Sequence, residues 1–309
     1  MHTEQLPLAR AAVDRAAHRR AEHDVLDPAA GPARVVLVRG SELAVLRDDD
    51  EVRLDLRPAV ELADVDGLRL FLGEDGERLL ALVLDDAAVE VDIEGVAAGP
   101  LDPAALDWAT LREVGHRLGD RDAGLATAAV GLAAWHERHP RCPRCGGPTE
   151  PTQGGWVRRC TLDGSDHYPR TDPAVIMAVT DDEDRLLLGH AAHWPERRFS
   201  TLAGYVEPGE SLEAAVRREV VEETAVVVGE VVYRGSQPWP FPASLMLAFT
   251  ARALTTAVRV DGVEVTDARW FTRAGLERAV ADGEVLLPMR SSVARALIED
   301  WFGGSLPGA

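Results

Sequence analysis

The sequence predicts an α+β protein, with a β-rich N-terminal part and a C-terminal domain of mixed strands and helices. Two patterns support this prediction. Short apolar runs bounded by turn-forming residues, typical of strands, occupy the first third of the chain. Beyond residue 172 such runs alternate with segments of helical periodicity, as in domains built of packed layers. The 309 residues are enough for about two domains.

Composition and charge exclude several classes of protein. Lys and Arg number 33 against 52 Asp and Glu, which gives a net charge of −19. Such a surface repels nucleic-acid backbones and anionic membranes at long range, so a general DNA-binding protein is not expected. No apolar run approaches the roughly 20 residues that span a bilayer, and the first residues lack the apolar core of a signal peptide. We therefore expect a cytoplasmic protein without a membrane partner.

The N-terminal elements follow from local pattern. Residues 1–30, rich in Ala, Arg and Asp, are expected to form a loosely packed arm. Residues 108–138 repeat apolar side chains at intervals of three and four, which indicates helix. Strands are predicted over 35–38, 43–46, 68–72 and 79–84. The chain divides into a β-rich domain (1–107), connecting helices (108–139), a cysteine-containing segment (140–171) and a C-terminal domain (172–305).

The C-terminal domain begins with a nearly continuous apolar run, 174–180, which predicts a buried strand. A second run, 185–189, predicts another strand. The remaining elements are predicted as strands over 226–234, 244–252 and 257–266 and helices over 210–224, 273–281 and 290–301.

One predicted helix of this domain carries three carboxylates close together. Glu219 and Glu223 differ by four and lie on one face, and Glu222 is one step round the helix. They repel one another unless a cation lies between them, and Mg²⁺ and Mn²⁺ prefer such oxygen ligands. Arg218 precedes Glu222 by four and can pair with it. A carbonyl of the preceding loop, such as that of Ala203, could reach the same cation, although a bare acidic triplet usually marks a solvated helix face.

The run from Gly204 to Val226 resembles the Nudix box, G-x5-E-x7-R-E-U-x-E-E-x-G-U, at every fixed position but one. The exception is Ala225, which follows the predicted helix end, where Gly eases a left-handed conformation and Ala costs about 1 kcal/mol at most. The resemblance implies a Nudix α/β/α sandwich, preceded by a zinc-ribbon-like segment, and a metal-dependent hydrolase. By this resemblance, the expected catalytic residues are Glu219, Glu222, Glu223 and Arg218.

A proline-rich tract follows the box. Three prolines stiffen it, and its Trp and Phe offer flat faces that suit stacking on a nicotinamide or adenine ring. The tract is similar to the run SQPWPFPxS of the NAD(H) pyrophosphatase branch of Nudix hydrolases, and the resemblance extends over about residues 108–302. It implies substrate contacts from Gln237, Pro238, Trp239, Pro240, Phe241, Pro242, Ala243 and Ser244.

This resemblance also implies an activity. Members of the branch hydrolyse the diphosphate of NAD(H) to NMN(H) and AMP with Mg²⁺ or Mn²⁺, remove NAD caps from RNA 5′ ends, and are typically homodimers. Two alternatives stay open, a Nudix hydrolase of another substrate such as ADP-ribose and a non-catalytic NAD-sensing protein. A further alternative is an RNA-binding decapping module that binds RNA through four arginines, Arg141, Arg144, Arg158 and Arg159.

The three cysteines of the chain lie close together, which points to a metal site. Cys142 and Cys145 form a CxxC pair, and Cys160 follows after fourteen residues. A zinc ribbon would have its fourth Cys at position 163, which is Asp163 here. Three thiolates with Asp163 or His167 could hold Zn²⁺; a ribbon that folds without metal is the alternative.

Further site residues are implied by alignment with the family. Tyr168 and Arg112 match substrate-contacting residues, Ala294 matches a backbone contact to substrate, and Tyr205 is a candidate for stacking on the base. Glu264 matches a late metal-ligating acid, with an ordinary strand-edge carboxylate as the alternative. A substrate-contacting acid of the family falls at Gly155, so that contact is expected to be absent.

Overall fold

The structure, a computed structural model, describes residues 6–49, 51–85 and 101–307. The chain forms two compact units. The C-terminal unit contains residues 6–9, 172–238 and 244–307, and the N-terminal unit contains 239–243 and the described part of 10–171. Within the described ranges, no helix is long and apolar enough to cross a membrane.

The N-terminal unit contains a seven-stranded sheet. Its strands are β1 (Ala33–Arg39), β2 (Glu42–Asp48), β3 (Glu51–Leu54), β4 (Arg57–Pro58), β5 (Leu68–Glu74), β6 (Arg78–Leu84) and β7 (Asp107–Thr110). They lie in the order β3-β2-β1-β6-β5, with β4 paired to β1 and β7 to β2. The four strands predicted from the sequence are confirmed as parts of β1, β2, β5 and β6.

Helices and a small second sheet complete this unit. They are α1 (Leu111–Val114), α2 (Asp120–Arg138), β8 (Thr149–Thr152), β9 (Val157–Cys160) and β10 (Asp166–His167). The helical prediction over 108–138 begins too early, because Trp108 pairs with Ala44 in the large sheet as part of β7. The helix α2 starts after Gly119, which serves as its N-cap.

The expectation of a loosely packed arm over residues 1–30 is wrong for the part that the structure describes. Leu6 is buried in a core cluster of the C-terminal unit, and Leu8 is buried as well. Ala16 and Val25 lie in the core of the N-terminal unit. The apolar residues are few among many Ala and Arg, so their spacing gave no periodic signal, yet each fills a core position.

The C-terminal unit contains a mixed sheet flanked by helices. Its elements are β11 (Asp172–Thr180), β12 (Leu186–Ala191), β13 (Leu202–Tyr205), α3 (Leu212–Thr224), β14 (Val228–Trp239), β15 (Ser244–Ala253), β16 (Val265–Phe271), α4 (Arg273–Ala281) and α5 (Val293–Phe302). The sheet runs β14-β15-β11-β12-β16, and β13 pairs with β11. The strands β11 and β15 are parallel, with Ile176 beside Ala248.

The central strand β11 explains why this unit has three layers. Successive side chains of a strand point to opposite faces. Val175 and Met177 join the cluster that holds Val216 of α3, whereas Ile176 joins the cluster that holds α5. The continuous apolar run from Ala174 to Val179 in β11 therefore buries both faces of the sheet, and the predicted α/β/α sandwich is confirmed.

Several predicted boundaries in this unit are wrong, and the strand expected over 226–234 extends instead from Val228 to Trp239. The strand expected over 257–266 begins only at Val265, because the side chain of Asp261 accepts hydrogen bonds from the amide N–H groups of Glu264 and Val265 and closes a turn there. The helix expected from residue 290 begins at Val293, after the cap residue Ser292.

The end of α3 provides a test of backbone strain. Ala225 adopts φ 59° and ψ 8°, the left-handed conformation that the box pattern assigns to Gly. We expect Ala225→Gly to raise the free energy of unfolding by up to about 1 kcal/mol, because Gly adopts this conformation without steric cost. Denaturant unfolding measures the change.

A matched variant inside the same helix should change the free energy of unfolding in the opposite direction. Ala214 is exposed in the first turn of α3, and we expect Ala214→Gly to lower the free energy of unfolding by about 1 kcal/mol. Equal destabilisation by both variants would show that the left-handed geometry at residue 225 is not strained.

Candidate active site and metal cluster

The helix α3 places two of its acidic residues on its buried face. Ser211 caps the helix by accepting a hydrogen bond from the amide of Ala214, and Val216 and Val220 are fully buried, as the four-residue spacing predicts. Glu219 and Glu223 lie one turn apart and are each only 7% exposed. Carboxylates are rarely buried to this extent without partners, so the structure marks this pair as a candidate site.

Arg218 binds most of the acidic groups around the helix. Its guanidinium donates two hydrogen bonds of 2.9 Å to the carboxylate of Glu210, one of 2.8 Å to Glu219 and one of 3.0 Å to Glu222. A fifth hydrogen bond, of 2.9 Å, reaches the carbonyl of Tyr205. The expected pairing with Glu222 is present. Because a planar guanidinium fixes the carboxylates that it binds, Arg218 holds the loop and the helix in one arrangement.

Burial and mutual repulsion perturb the two buried carboxyl groups. Burial raises the pKa of Glu219, although Arg218 opposes this. Burial, followed by repulsion from Glu219 and Glu264, raises the pKa of Glu223 to about 8. The Oε2 atom of Glu223 has no hydrogen-bond partner among the described residues. An orphaned buried carboxylate oxygen beside further carboxylates is the donor set that a hard divalent cation satisfies.

The backbone of β13 approaches the carboxylate of Glu219 closely. A Cβ atom at Gly204 would overlap the Glu219 carboxyl group. The first position of the box therefore requires Gly, because a residue with a side chain would not fit beside this carboxylate.

A cavity of about 440 Å³ opens beside these carboxylates in the C-terminal unit. Ala203, Glu223 and Glu264 line it together, so the structure brings these three predicted metal-site residues to one place. Glu264 lies in the turn before β16 and is exposed. Glu222 is also largely exposed, and Arg218 is its hydrogen-bond partner.

The proline-rich tract contributes residues to both units. In the C-terminal unit, the amide of fully buried Gln237 accepts a hydrogen bond from the N–H of Leu8 at 3.3 Å and donates one to the carbonyl of Ser291 at 3.0 Å. The hydroxyl groups of Tyr205 and Ser244 lie 3.3 Å apart. The side chain of Gln237 is thus occupied within the protein, and its role as a substrate contact stays a prediction.

In the N-terminal unit, the aromatic residues of the tract cluster with an arginine. The rings of Trp239 and Phe241 meet edge to face at 5.0 Å. The guanidinium of Arg112 lies over both rings, 5.1 Å from the first centroid and 4.2 Å from the second. The structure therefore groups three residues that the sequence predicted separately as substrate contacts.

The other predicted substrate contacts have distinct surroundings. Tyr168 and Tyr205 are exposed aromatic residues. Ala294 is buried in the first turn of α5, where its amide N–H donates to the hydroxyl of the cap residue Ser292 at 3.2 Å. The flanking tract residues Pro238, Pro242 and Ala243 are partly buried, and Pro240 is buried.

The cysteine segment forms a compact cluster of candidate ligands. One ligand atom from each of four residues lies within 4.8 Å of all the others, and the four residues are Cys142, Cys145, Cys160 and Asp163. The alternative ligand His167 is outside this group of four, and its Nε2 atom lies 3.1 Å from the hydroxyl of Ser165. Of the two fourth ligands that the sequence left open, the structure places Asp163 in the cluster.

Hydrogen bonds favour the ionised form of two cluster members. Ser165 donates to the carboxylate of Asp163 through its amide, at 2.9 Å, and through its hydroxyl, which lowers the pKa of Asp163. Burial would raise the pKa of the Cys142 thiol, but its contact with the Ser165 hydroxyl and hydrogen bonds from backbone N–H groups, such as that of Arg144, bring it to about 6. Thiolate and carboxylate are the forms that bind a metal.

The arginines considered for gripping RNA are not all available. Arg158 is buried, and its guanidinium donates to Thr149 and, at 2.7 Å, to the Nδ1 atom of His136. The other ring nitrogen of His136 bonds the carbonyl of Gly155 at 2.7 Å. Arg159 pairs with Asp166. The local positive charge of this segment is therefore smaller than its composition indicates.

Sequence reasoning missed two features of the site. Next to the predicted helix start, Glu210 is typical of an acidic residue that complements the helix dipole, but in the structure it is the bidentate partner of Arg218. Their spacing of eight residues, partly through a loop, has no helical signature. Sequence reasoning also left Trp194 unassigned, although this residue lines the cavity beside Glu223.

Comparison with protein families yields three matches in sequence order. A model described as an NADH pyrophosphatase-like rudimentary NUDIX domain matches residues 32–135, an NADH pyrophosphatase zinc ribbon domain matches 137–168, and a NUDIX domain matches 170–295. These ranges contain the large N-terminal sheet, the cysteine cluster and the carboxylate helix, respectively.

Curated relatives resemble the chain over most of its length. A NAD-capped RNA hydrolase NudC of Mycobacterium bovis (strain BCG / Pasteur 1173P2) is 38% identical over 307 residues, which are 95% of this chain and 94% of the relative. A NAD-capped RNA hydrolase NUDT12 of Homo sapiens is 42% identical over 198 residues, 60% of this chain and 43% of the relative. A solved NUDIX hydrolase from Nitrosomonas europaea is 21% identical, with a TM-score of 0.42, and the match covers 54% of this chain and 94% of that chain.

Proposed function

The chain belongs to the NAD(H) pyrophosphatase family of NUDIX hydrolases, and from that premise we propose that it hydrolyses the diphosphate of NAD(H) to NMN(H) and AMP and removes NAD caps from RNA. One observation carries the proposal. Glu219 and Glu223 are two buried carboxylates on one face of α3, and Arg218 donates a hydrogen bond to Glu219. A protein that only sensed NAD would have no need of carboxylates that repel one another.

The residues around the helix fit a divalent cation, Mg²⁺ or Mn²⁺. The donors are oxygen atoms, and one of them, Oε2 of Glu223, lacks a partner within the described ranges. When bound, the cation neutralises charge on the diphosphate and lowers the pKa of a water molecule. The proposed ligands are the carboxylates of Glu219, Glu222, Glu223 and Glu264 and the backbone of Ala203.

The chain's own residues then have defined roles in the reaction. Arg218 fixes Glu219 and Glu222, so these carboxylates need little reorganisation when substrate binds. A carboxylate of the cluster accepts the proton of the attacking water. A new P–O bond forms, the anhydride P–O bond breaks, and NMN(H) and AMP leave.

We propose that the aromatic residues of the tract determine the choice of substrate. Trp239 and Phe241 form a preorganised aromatic pair with Arg112. Stacking on an aromatic side chain is worth about 1–3 kcal/mol per base, or roughly tenfold to more than a hundredfold in affinity. We expect Trp239→Ala to lower kcat/KM for NADH by such a factor, and for ADP-ribose, which lacks the nicotinamide, by much less.

Side-by-side turnover of NADH, ADP-ribose and NAD-capped RNA by the wild-type and Trp239→Ala proteins measures this selectivity. Equal losses on NADH and ADP-ribose would show that the tract does not recognise the nicotinamide. A wild-type preference for ADP-ribose would favour a different NUDIX hydrolase activity.

We propose that the cysteine cluster binds one structural Zn²⁺ per chain, with Asp163 as the fourth ligand. Three thiolates and a carboxylate satisfy the tetrahedral coordination of zinc. We expect about one zinc per chain in protein purified without chelator, and loss of that zinc in Cys145→Ser. Asp163→Cys should retain zinc against a competing chelator better than the wild type, since it completes a Cys₄ set.

Elemental analysis and chelator competition provide the readouts. Asp166→Ala, which removes a neighbouring acid outside the cluster, is the matched control and should keep its zinc. Wild-type protein that is zinc-free yet fully stable and active would leave the ribbon as a metal-free fold.

A further inference from the structure

The cavity beside the carboxylates extends to side chains that the proposed reaction does not use. Its lining includes Trp194 and His193, which belong to the loop after β12, and Thr201, which precedes β13. Its volume of about 440 Å³ is within the range of small-molecule sites, about 300–1,000 Å³. Three further lining residues, Gly189, Ala191 and Ala192, are small.

A buried hydroxyl in this cavity has no partner. Thr201 is 4% exposed, and within the part of the chain that the structure describes its Oγ1 atom makes no hydrogen bond. Leaving a buried hydroxyl unpaired costs about 1–3 kcal/mol. Glu223 lines the same cavity and carries the other unpartnered oxygen. Both residues line one cavity and each carries a buried oxygen atom without a partner within the described ranges, which favours a polar ligand there.

Trp194 is held in a defined position at the wall. Its amide N–H donates to the carbonyl of Ala191 at 3.0 Å, which closes a turn of the loop. The guanidinium of Arg198 lies over the indole at 5.3 Å, and the side chain is only half-buried. A fixed and partly exposed indole that lines a cavity is suited to stacking on a flat heteroaromatic ring.

We propose that this cavity binds one mononucleotide half of the dinucleotide substrate, with its base stacked on Trp194 and a polar group hydrogen-bonded to Thr201. The inference rests on the proposed function, because it assumes a diphosphate at the carboxylates of Glu219 and Glu223. The recognised chemistry is a flat base on a ribose 5′-phosphate. The adenine and the nicotinamide halves share it, so the experiment distinguishes them.

The test is mononucleotide binding rather than turnover alone. AMP and NMN are titrated separately by calorimetry in the presence of Mg²⁺, into wild-type protein, Trp194→Ala, Trp194→Phe and Thr201→Val. We expect Trp194→Ala to weaken the binding of one of the two nucleotides at least about tenfold and the other less than twofold. Trp194→Phe, which keeps an aromatic face, should restore most of the loss, and Thr201→Val should weaken the same nucleotide.

The outcomes distinguish failure of the cavity inference from failure of the proposed function. Unchanged affinity for both nucleotides in a folded Trp194→Ala protein that still cleaves NADH would overturn this inference and leave the proposed function standing. Equal weakening of both nucleotides, without rescue by Phe, would also overturn it. Wild-type protein that neither cleaves NADH nor binds AMP or NMN would overturn the proposed function itself.

Discussion

Replacing Glu219 or Glu223 with glutamine is expected to lower kcat for NADH by about 10²-fold or more, while the protein stays folded. Each substitution removes one negative charge from the proposed cation site and nearly preserves the volume of the side chain. Folding should survive, because burial raises the pKa of both carboxyl groups, which shows that their charged forms are disfavoured there, and glutamine is neutral. Steady-state kinetics with Mg²⁺ or Mn²⁺, alongside thermal unfolding, measure both effects.

A control on the same helix separates local chemistry from general charge. Glu213, exposed in the first turn of α3, loses the same charge in Glu213→Gln, and turnover should stay close to that of the wild type. Turnover close to that of the wild type in both Glu219→Gln and Glu223→Gln would contradict the assignment of the cation site.

A single methyl group at Gly204 is expected to be nearly as damaging. The Cβ atom of Ala at this position would overlap the carboxyl group of Glu219, which is held by Arg218 on its other side. The carboxylate must move, and misplacement of a catalytic group by about 1 Å can cost about 10²-fold in rate. We therefore expect Gly204→Ala to lower kcat by about 10²-fold.

The matched control is Gly304→Ala in the same unit. No heavy atom lies within 4 Å of a Cβ atom there, and the backbone is not left-handed, so activity should be unchanged. A fully active Gly204→Ala protein would mean that Glu219 has room to shift without loss, and that its observed position is not the one that matters for the reaction.

The features that the sequence predicted correctly depend on short-range periodicity. Leu212, Val216 and Val220 repeat every four residues, which predicts the buried face of α3; Val216 and Val220 are fully buried and Leu212 is partly buried. The same spacing predicted the pairing of Arg218 with Glu222. The box pattern placed Ala225 in a left-handed conformation, which the structure has. The resemblance to NAD(H) pyrophosphatases is confirmed by relatives that match nearly the whole chain.

The features that could not be predicted from the sequence depend on contacts between residues that are far apart in the chain or lie in irregular segments. Arg158 reads as a surface charge, but its partner His136 lies 22 residues away on another element. Whether Asp163 or His167 joins the three cysteines depends on the turn around Ser165. A turn has no repeating sequence pattern from which its geometry could be predicted. Trp194 lies in a loop whose position is set by tertiary packing. Such contacts become visible only once the fold exists.

The most direct test of the account is to incubate the wild-type protein with NADH and Mg²⁺ or Mn²⁺ and to identify the products by chromatography and mass. The account predicts equimolar NMNH and AMP, formed only when a divalent cation is present and abolished by chelation. Intact NADH under these conditions, or products cleaved at a bond other than the diphosphate, would contradict it.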